Sequence, residues 1–101
     1  MQPATNDAGE ELLSVDDTLK QRGNRYGSFR NHSKLSKELR ECFYKHHKIF
    51  GSTPVSDVQI EALNMIFHKL ARIANGDPTY IDSWTDIAGY AQLVVDDLNE
   101  G

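Results

Sequence analysis

Lys69 and Arg72 sit three residues apart near the end of one helical pattern, and Asp82 and Asp86 sit four apart at the start of the next. Spacings of three and four bring side chains to one face of a helix. The short turn Asn75-Gly76-Asp77-Pro78 between the two patterns lets basic and acidic faces meet. Two chemistries fit. A lysine and an arginine neutralise phosphate oxygens, the arginine through paired hydrogen bonds. Two carboxylates hold a divalent cation such as Mg²⁺, which completes its shell with water and phosphate oxygens. The same four residues equally make an internal ion-pair lock, with Asp82 or Asp86 bridged to Lys69 or Arg72 and Asp82 favoured at the positive end of its helix. Residue type leaves both readings open.

Placed at about 100° per residue, Glu61, Asn64, His68, Arg72 and Asn75 share the polar side of the third helix, with Lys69 at its edge. Asp82, Asp86 and Gly89 form a stripe on the last helix, flanked by Tyr90. A glycine inside a helix costs about 1 kcal/mol against alanine, so Gly89 implies close approach of a ligand or of another backbone. His32 and His46 fall on the apolar stripe of the second helix and read as packed, hydrogen-bonded histidines. His46 and His47, adjacent in a helix, point apart and make a poor metal pair. No cysteine–histidine spacing has the form of a zinc site. Trp84 reads as a core anchor.

These residues need helices to hold them. Residues 1–13 are small, polar and acidic and are expected to form a disordered tail. Ser14 caps a short helix over 15–21, which Gly23-Asn24 ends, and Arg25-Tyr26-Gly27-Ser28 forms a turn whose glycine takes a conformation closed to other residues. A second helix is expected over 29–49, with Leu35, Leu39, Cys42, Phe43, His46 and Phe50 as its buried stripe. Gly51-Ser52-Thr53-Pro54 breaks it. Ser56 and Gln59 form a capping box for a third helix over 57–74. The last helix spans 80–98 with Trp84, Ile87, Ala88, Ala91, Val94, Val95 and Leu98 inward. The expected fold is all-α, a small bundle of three long helices plus a short N-terminal one, in a single domain over 14–101.

With 101 residues there is room for one core. A formal charge of −4 argues against a general nucleic-acid coat. The charge is uneven, with most lysines and arginines before residue 50 and acid concentrated in the tail and last helix. Such a dipolar chain can bind its own copies or an anion. One cysteine, Cys42, fits a reducing compartment, and no apolar run or signal core is present, so a cytoplasmic setting without membrane association is expected.

The ordered motifs Arg25-Tyr26-Gly27, Asn31-His32, Glu61 to Ile66, His68 to Ile73, Asn75 to Pro78 and Asp82 to Ala91 resemble a family of small all-α proteins encoded by tailed phages and prophages. The resemblance covers about residues 20–98. That family is in turn distantly similar to MazG-type nucleoside triphosphate pyrophosphohydrolases, which hold Mg²⁺ between two pairs of carboxylates on neighbouring helices. Here Asp82 and Asp86 match one pair, while the preceding helix offers His68, Lys69 and Arg72 with Glu61 as its carboxylate, so one pair is missing.

The resemblance implies a MazG-like architecture and a nucleotide or other phosphate ligand. Arg25, Lys69 and Arg72 would meet its phosphates, Tyr26 or Tyr90 would stack on its base, and His32 and His68 would complete the ligand-binding set. Glu61, Asp82 and Asp86 would hold Mg²⁺. Catalysis would then be attack of a metal-activated water on a phosphate with release of pyrophosphate. The alternative is a phage inhibitor that binds a host protein without catalysis. A homo-oligomer is expected under either reading.

Overall fold

The computed structural model describes residues 14–101, and the expected tail lies outside the described residues. Four helices follow in order, α1 Val15–Tyr26, α2 Phe29–Phe50, α3 Asp57–Asn75 and α4 Ile81–Glu100, with no strand among the described residues. The fold is all-α.

Local chemistry explains most boundaries. Ser14 accepts from the Asp17 amide and opens α1 with Asp16 and Asp17 in the first turn. Ser28 does the same for α2 through Asn31. Ser56 and Gln59 exchange side-chain and backbone hydrogen bonds in a full capping box at the start of α3. The first helix departs from expectation: it runs through Gly23 and Asn24 and stops at Gly27, whose φ of 74° ends it. A glycine within a helix costs stability without breaking it, whereas a left-handed residue turns the chain.

α3 is the centre of the fold. It packs against α4 on one side and α2 on the other, α1 rests on α2 and α3, and the backbones of α2 and α4 make no close approach. The three long helices therefore form an open layer. Phe67 on α3 lies edge-on to Phe43 and Tyr44 of α2, and the Tyr44 hydroxyl donates to Asn64 Oδ1 at 2.8 Å.

An open layer buries little. Among the described residues the buried apolar side chains are Ala62, Phe67 and Ala71. Several residues expected inside lie at the surface, including Trp84, which is 51% exposed, Phe50, which is 71% exposed, and Leu98. Trp84 instead donates its indole N–H to the Pro78 carbonyl at 2.8 Å and braces the α3–α4 turn. His46 is exposed and rests on Phe50, while His32 is buried as expected.

Candidate functional site

The site is built at the end of the layer where α1 meets α2 and α3. Asn75, the last residue of α3, donates through Nδ2 to the carbonyls of Tyr26 and Ser28, at 2.8 and 3.0 Å. It thereby clasps both sides of the α1–α2 turn. A Cβ on Gly27 would run into the Asn75 backbone oxygen, and one on Gly76 would run into the Arg25 carbonyl. The Asp77 amide donates to that same carbonyl at 2.6 Å. Two glycines let three chain segments approach closely enough for these bonds to form.

Beneath this junction lies a cavity of about 530 Å³, within the range of small-molecule sites. Tyr26, Phe29 and Leu19 supply apolar wall, Arg22 and Arg72 supply charge, and His32 and His68 line the wall between α2 and α3. The Arg72 guanidinium lies over the Tyr26 ring, 4.3 Å from its centroid. Such contacts contribute about 0.5–2 kcal/mol and hold the guanidinium plane in place. Among the described residues Arg72 has no carboxylate partner.

His32 Nε2 and His68 Nδ1 are 3.0 Å apart, so one donates to the other. The His32 ring packs nearly parallel to Phe29. Burial, followed by the charge of Arg72, pushes the His68 pKa down to about 4, and His32 is lowered by the same causes. Both shifts favour neutral rings near pH 7, and the shared hydrogen bond itself requires only that the accepting nitrogen of the pair carry no proton. His32 Nδ1, on the other side of its ring, is buried with no hydrogen-bond partner among the described residues.

The expected ligand-binding residues divide. Tyr26, His32, His68 and Arg72 converge on the cavity. Lys69 does not line it. Its side chain is nearly buried at the α3–α4 seam and pairs with Asp86 at 3.0 Å. Arg25 turns outward, lies over Tyr80 and donates to its hydroxyl at 3.2 Å. That hydroxyl donates onward to Asp82 Oδ2 at 2.7 Å, which raises the Tyr80 pKa. Tyr90 and Glu61 line a separate shallow pocket where the start of α3 faces the middle of α4.

The expected metal set is not assembled. Glu61 lies eight residues from Lys69 on α3, about 12 Å along a helix that rises 1.5 Å per residue. Asp86 is engaged by Lys69, and Asp82 by Tyr80. Among the described residues no three His, Cys, Asp or Glu side chains form a group able to hold a metal ion. Gly89 has open space around it among the described residues, so no neighbouring helix of the described chain accounts for it.

Arg22, Phe29 and Leu19 were not anticipated. Their signal was present: Leu19, Arg22, Gly23 and Tyr26 are spaced at i, i+3, i+4 and i+7, one face of a helix. Ending α1 at Gly23 hid that face.

Residues 12–96 match one family model, described as a domain of unknown function (DUF6378). No curated protein and no solved structure matches the chain.

Proposed function

The chain belongs to the DUF6378 family, and from the cavity under α1 we propose that it binds a nucleotide or a related phosphate compound. The observation that carries this reading is Arg72. It is half-buried, fixed over Tyr26, unpaired by any carboxylate among the described residues, and open to a cavity with aromatic walls. A cation so placed lacks the partner that buried charges need. A phosphate supplies that partner through paired hydrogen bonds, and the apolar wall of Phe29, Tyr26 and Leu19 suits a base. Arg22 adds a second cation at the rim.

Mg²⁺-dependent hydrolysis of the MazG type is the stronger form of the proposal. It asks the ligand to bring its metal, because Glu61, Asp82 and Asp86 stand apart. The phage-type and MazG-like assignments rest on the motif resemblance, and a cytoplasmic setting belongs with them. No helix among the described residues is long and apolar enough to cross a membrane. The alternative, binding to a host protein, draws on a different feature, the exposed apolar side chains of the open layer. Self-association draws on the same feature.

Calorimetric titration with a panel of nucleoside mono-, di- and triphosphates, with and without Mg²⁺, tests the reading. Heat of binding with at least one member, lost in Arg72→Ala, is the expected result. No heat with any member overturns it.

A further inference from the structure

We propose that the polar groove beyond the histidine pair, headed by Arg40 and Ser36 of α2, is a second anion subsite, and that the ligand carries two phosphoryl groups, one on Arg72 and one on Arg40. The inference rests on the phosphate reading of the α1 cavity and narrows the class of ligand that the cavity takes.

One face of α2 builds the groove. Phe29, His32, Ser33, Ser36 and Arg40 recur at three- and four-residue steps, and His68 of α3 completes a lining around about 150 Å³. Phe29, His32 and His68 also line the α1 cavity, so the two spaces adjoin at the histidine pair. Their linings differ. Leu19, Tyr26 and Phe29 give the first an apolar wall, whereas every residue of the second except Phe29 carries a hydrogen-bonding side chain. The first suits a base and the second a phosphoryl group.

Arg40 supplies the charge. It is half-buried, and among the described residues no carboxylate pairs with it. Its Nη1 donates to the Ser36 hydroxyl at 2.7 Å, which draws the guanidinium back one turn along α2 toward the histidines. Ser36 is 3% exposed, so the guanidinium is anchored on a side chain fixed in the packed seam. A neutral hydroxyl leaves the charge uncompensated and the rest of the guanidinium fork available to an anion. Glu61, on the same side of α3 as His68 by sequence, lines the α3–α4 pocket instead. The charges of Arg72 and Arg40 both depress the His68 pKa, so both guanidiniums lie within electrostatic reach of one ring.

Spacing sets the ligand. α2 and α3 run antiparallel, with His32 against His68 and Tyr44 against Asn64. Ser36 therefore lies one turn from the pair in one direction and Arg72 one turn in the other, about 6 Å each way at 1.5 Å per residue. A single phosphate, held at about 3 Å from its guanidinium, does not bridge a gap of about 12 Å. Two phosphoryl groups of one molecule do, whether joined in line or carried on separate arms.

Titration calorimetry of the full chain with orthophosphate and with inorganic tripolyphosphate reads the second subsite. Tripolyphosphate is expected to bind at least about tenfold tighter, one per chain, and Arg40→Gln to remove that preference. Ser33→Glu, at an exposed position of the groove, sets a carboxylate near Arg40 and should remove it too, which carries the test should Arg40→Gln fail to fold. Adenosine triphosphate, with its phosphates in line, and adenosine bisphosphate, phosphorylated on two sides of its ribose, separate the two ways of carrying the second group. Equal affinity for orthophosphate and tripolyphosphate, or a preference that both variants leave intact, overturns the subsite. Two tripolyphosphates bound per chain overturn the bridge between the arginines. Binding that Arg72→Ala abolishes and neither Arg40→Gln nor Ser33→Glu alters removes the second subsite and keeps the α1 cavity. No binding of any phosphate removes both.

Discussion

Lys69 and Arg72 stand one helical turn apart on α3 and have opposite fates. Lys69 faces α4, sinks into the seam and is neutralised by Asp86. Arg72 faces α1, stacks on Tyr26 and borders a cavity, with no carboxylate among the described residues to meet it. Of the two alternatives that residue type left open, Lys69 realises the ion-pair lock, and the phosphate site is the one proposed for Arg72. A rotation of about 300° between positions three apart sends one residue to the neighbouring helix and the other to the junction. Which neighbour its face meets decides whether a cation near a helix end is paired or left open to a cavity.

The contrast is broken most directly by removing the free cation. Arg72→Ala is expected to weaken nucleoside phosphate binding by about a hundredfold, the 2–3 kcal/mol of a charge-assisted pair of hydrogen bonds, with little change in melting temperature. Arg72→Lys recovers only part, because an ammonium neither forks nor stacks as a guanidinium does. Calorimetry and a thermal melt on the same samples check both halves.

The junction that shapes the cavity is nearly as sensitive. Gly27→Ala forces a left-handed φ on a residue with a side chain and drives its Cβ into Asn75, so a loss of about 2–3 kcal/mol is expected. Binding should fall with it, because α1 leaves its seat. Chemical denaturation and titration would show the two losses together.

The lock responds in the reverse sense to the receptor. Asp86→Asn leaves Lys69 nearly buried beside a neutral amide and should cost about 1–2 kcal/mol, discounted because the Asp86 carboxylate is about half exposed. Ligand affinity should hold. Adding Lys69→Met removes the stranded charge, and the double variant should regain most of the lost stability.

The histidine pair sharpens the picture through pH. His68 titrates at about 4 in the folded chain against 6.5 when unfolded, and His32 is shifted the same way. Between those values the unfolded chain binds more protons than the folded one, so stability is full above pH 6.5 and falls as pH drops toward 4. His32, Arg72, Lys69 and Arg40 are the groups whose charge or burial acts on His68. His68→Gln should flatten that part of the melting profile. The smallest effect expected is a gain: Gly89→Ala, with open space at its Cβ, should stabilise α4 by about 1 kcal/mol.

The helices were largely legible because their caps are local. Ser14, Ser56 and Gln59 announce themselves by type and spacing, and the φ > 0 at Gly27 was foreseeable from the turn it sits in. Four of the ten anticipated site residues meet at the cavity: His68 and Arg72 share a helix face that periodicity reports, whereas Tyr26 and His32 entered the ligand set through the motif resemblance. What periodicity does not report is which helix a face will meet. Apolar residues such as Trp84, Phe50 and Leu98 look like core whether the covering layer comes from the same chain or from elsewhere. Glu61, Asp82 and Asp86 share a charge and a plausible chemistry, yet the length of α3 separates Glu61 from the other two.

A crystal structure with a nucleoside phosphate bound tests the division between the two cations most directly. The account places the phosphate on the Arg72 guanidinium beside Tyr26, with the Lys69–Asp86 pair unbroken. A phosphate seated instead between Lys69 and the α4 carboxylates, with Arg72 left free, would contradict it.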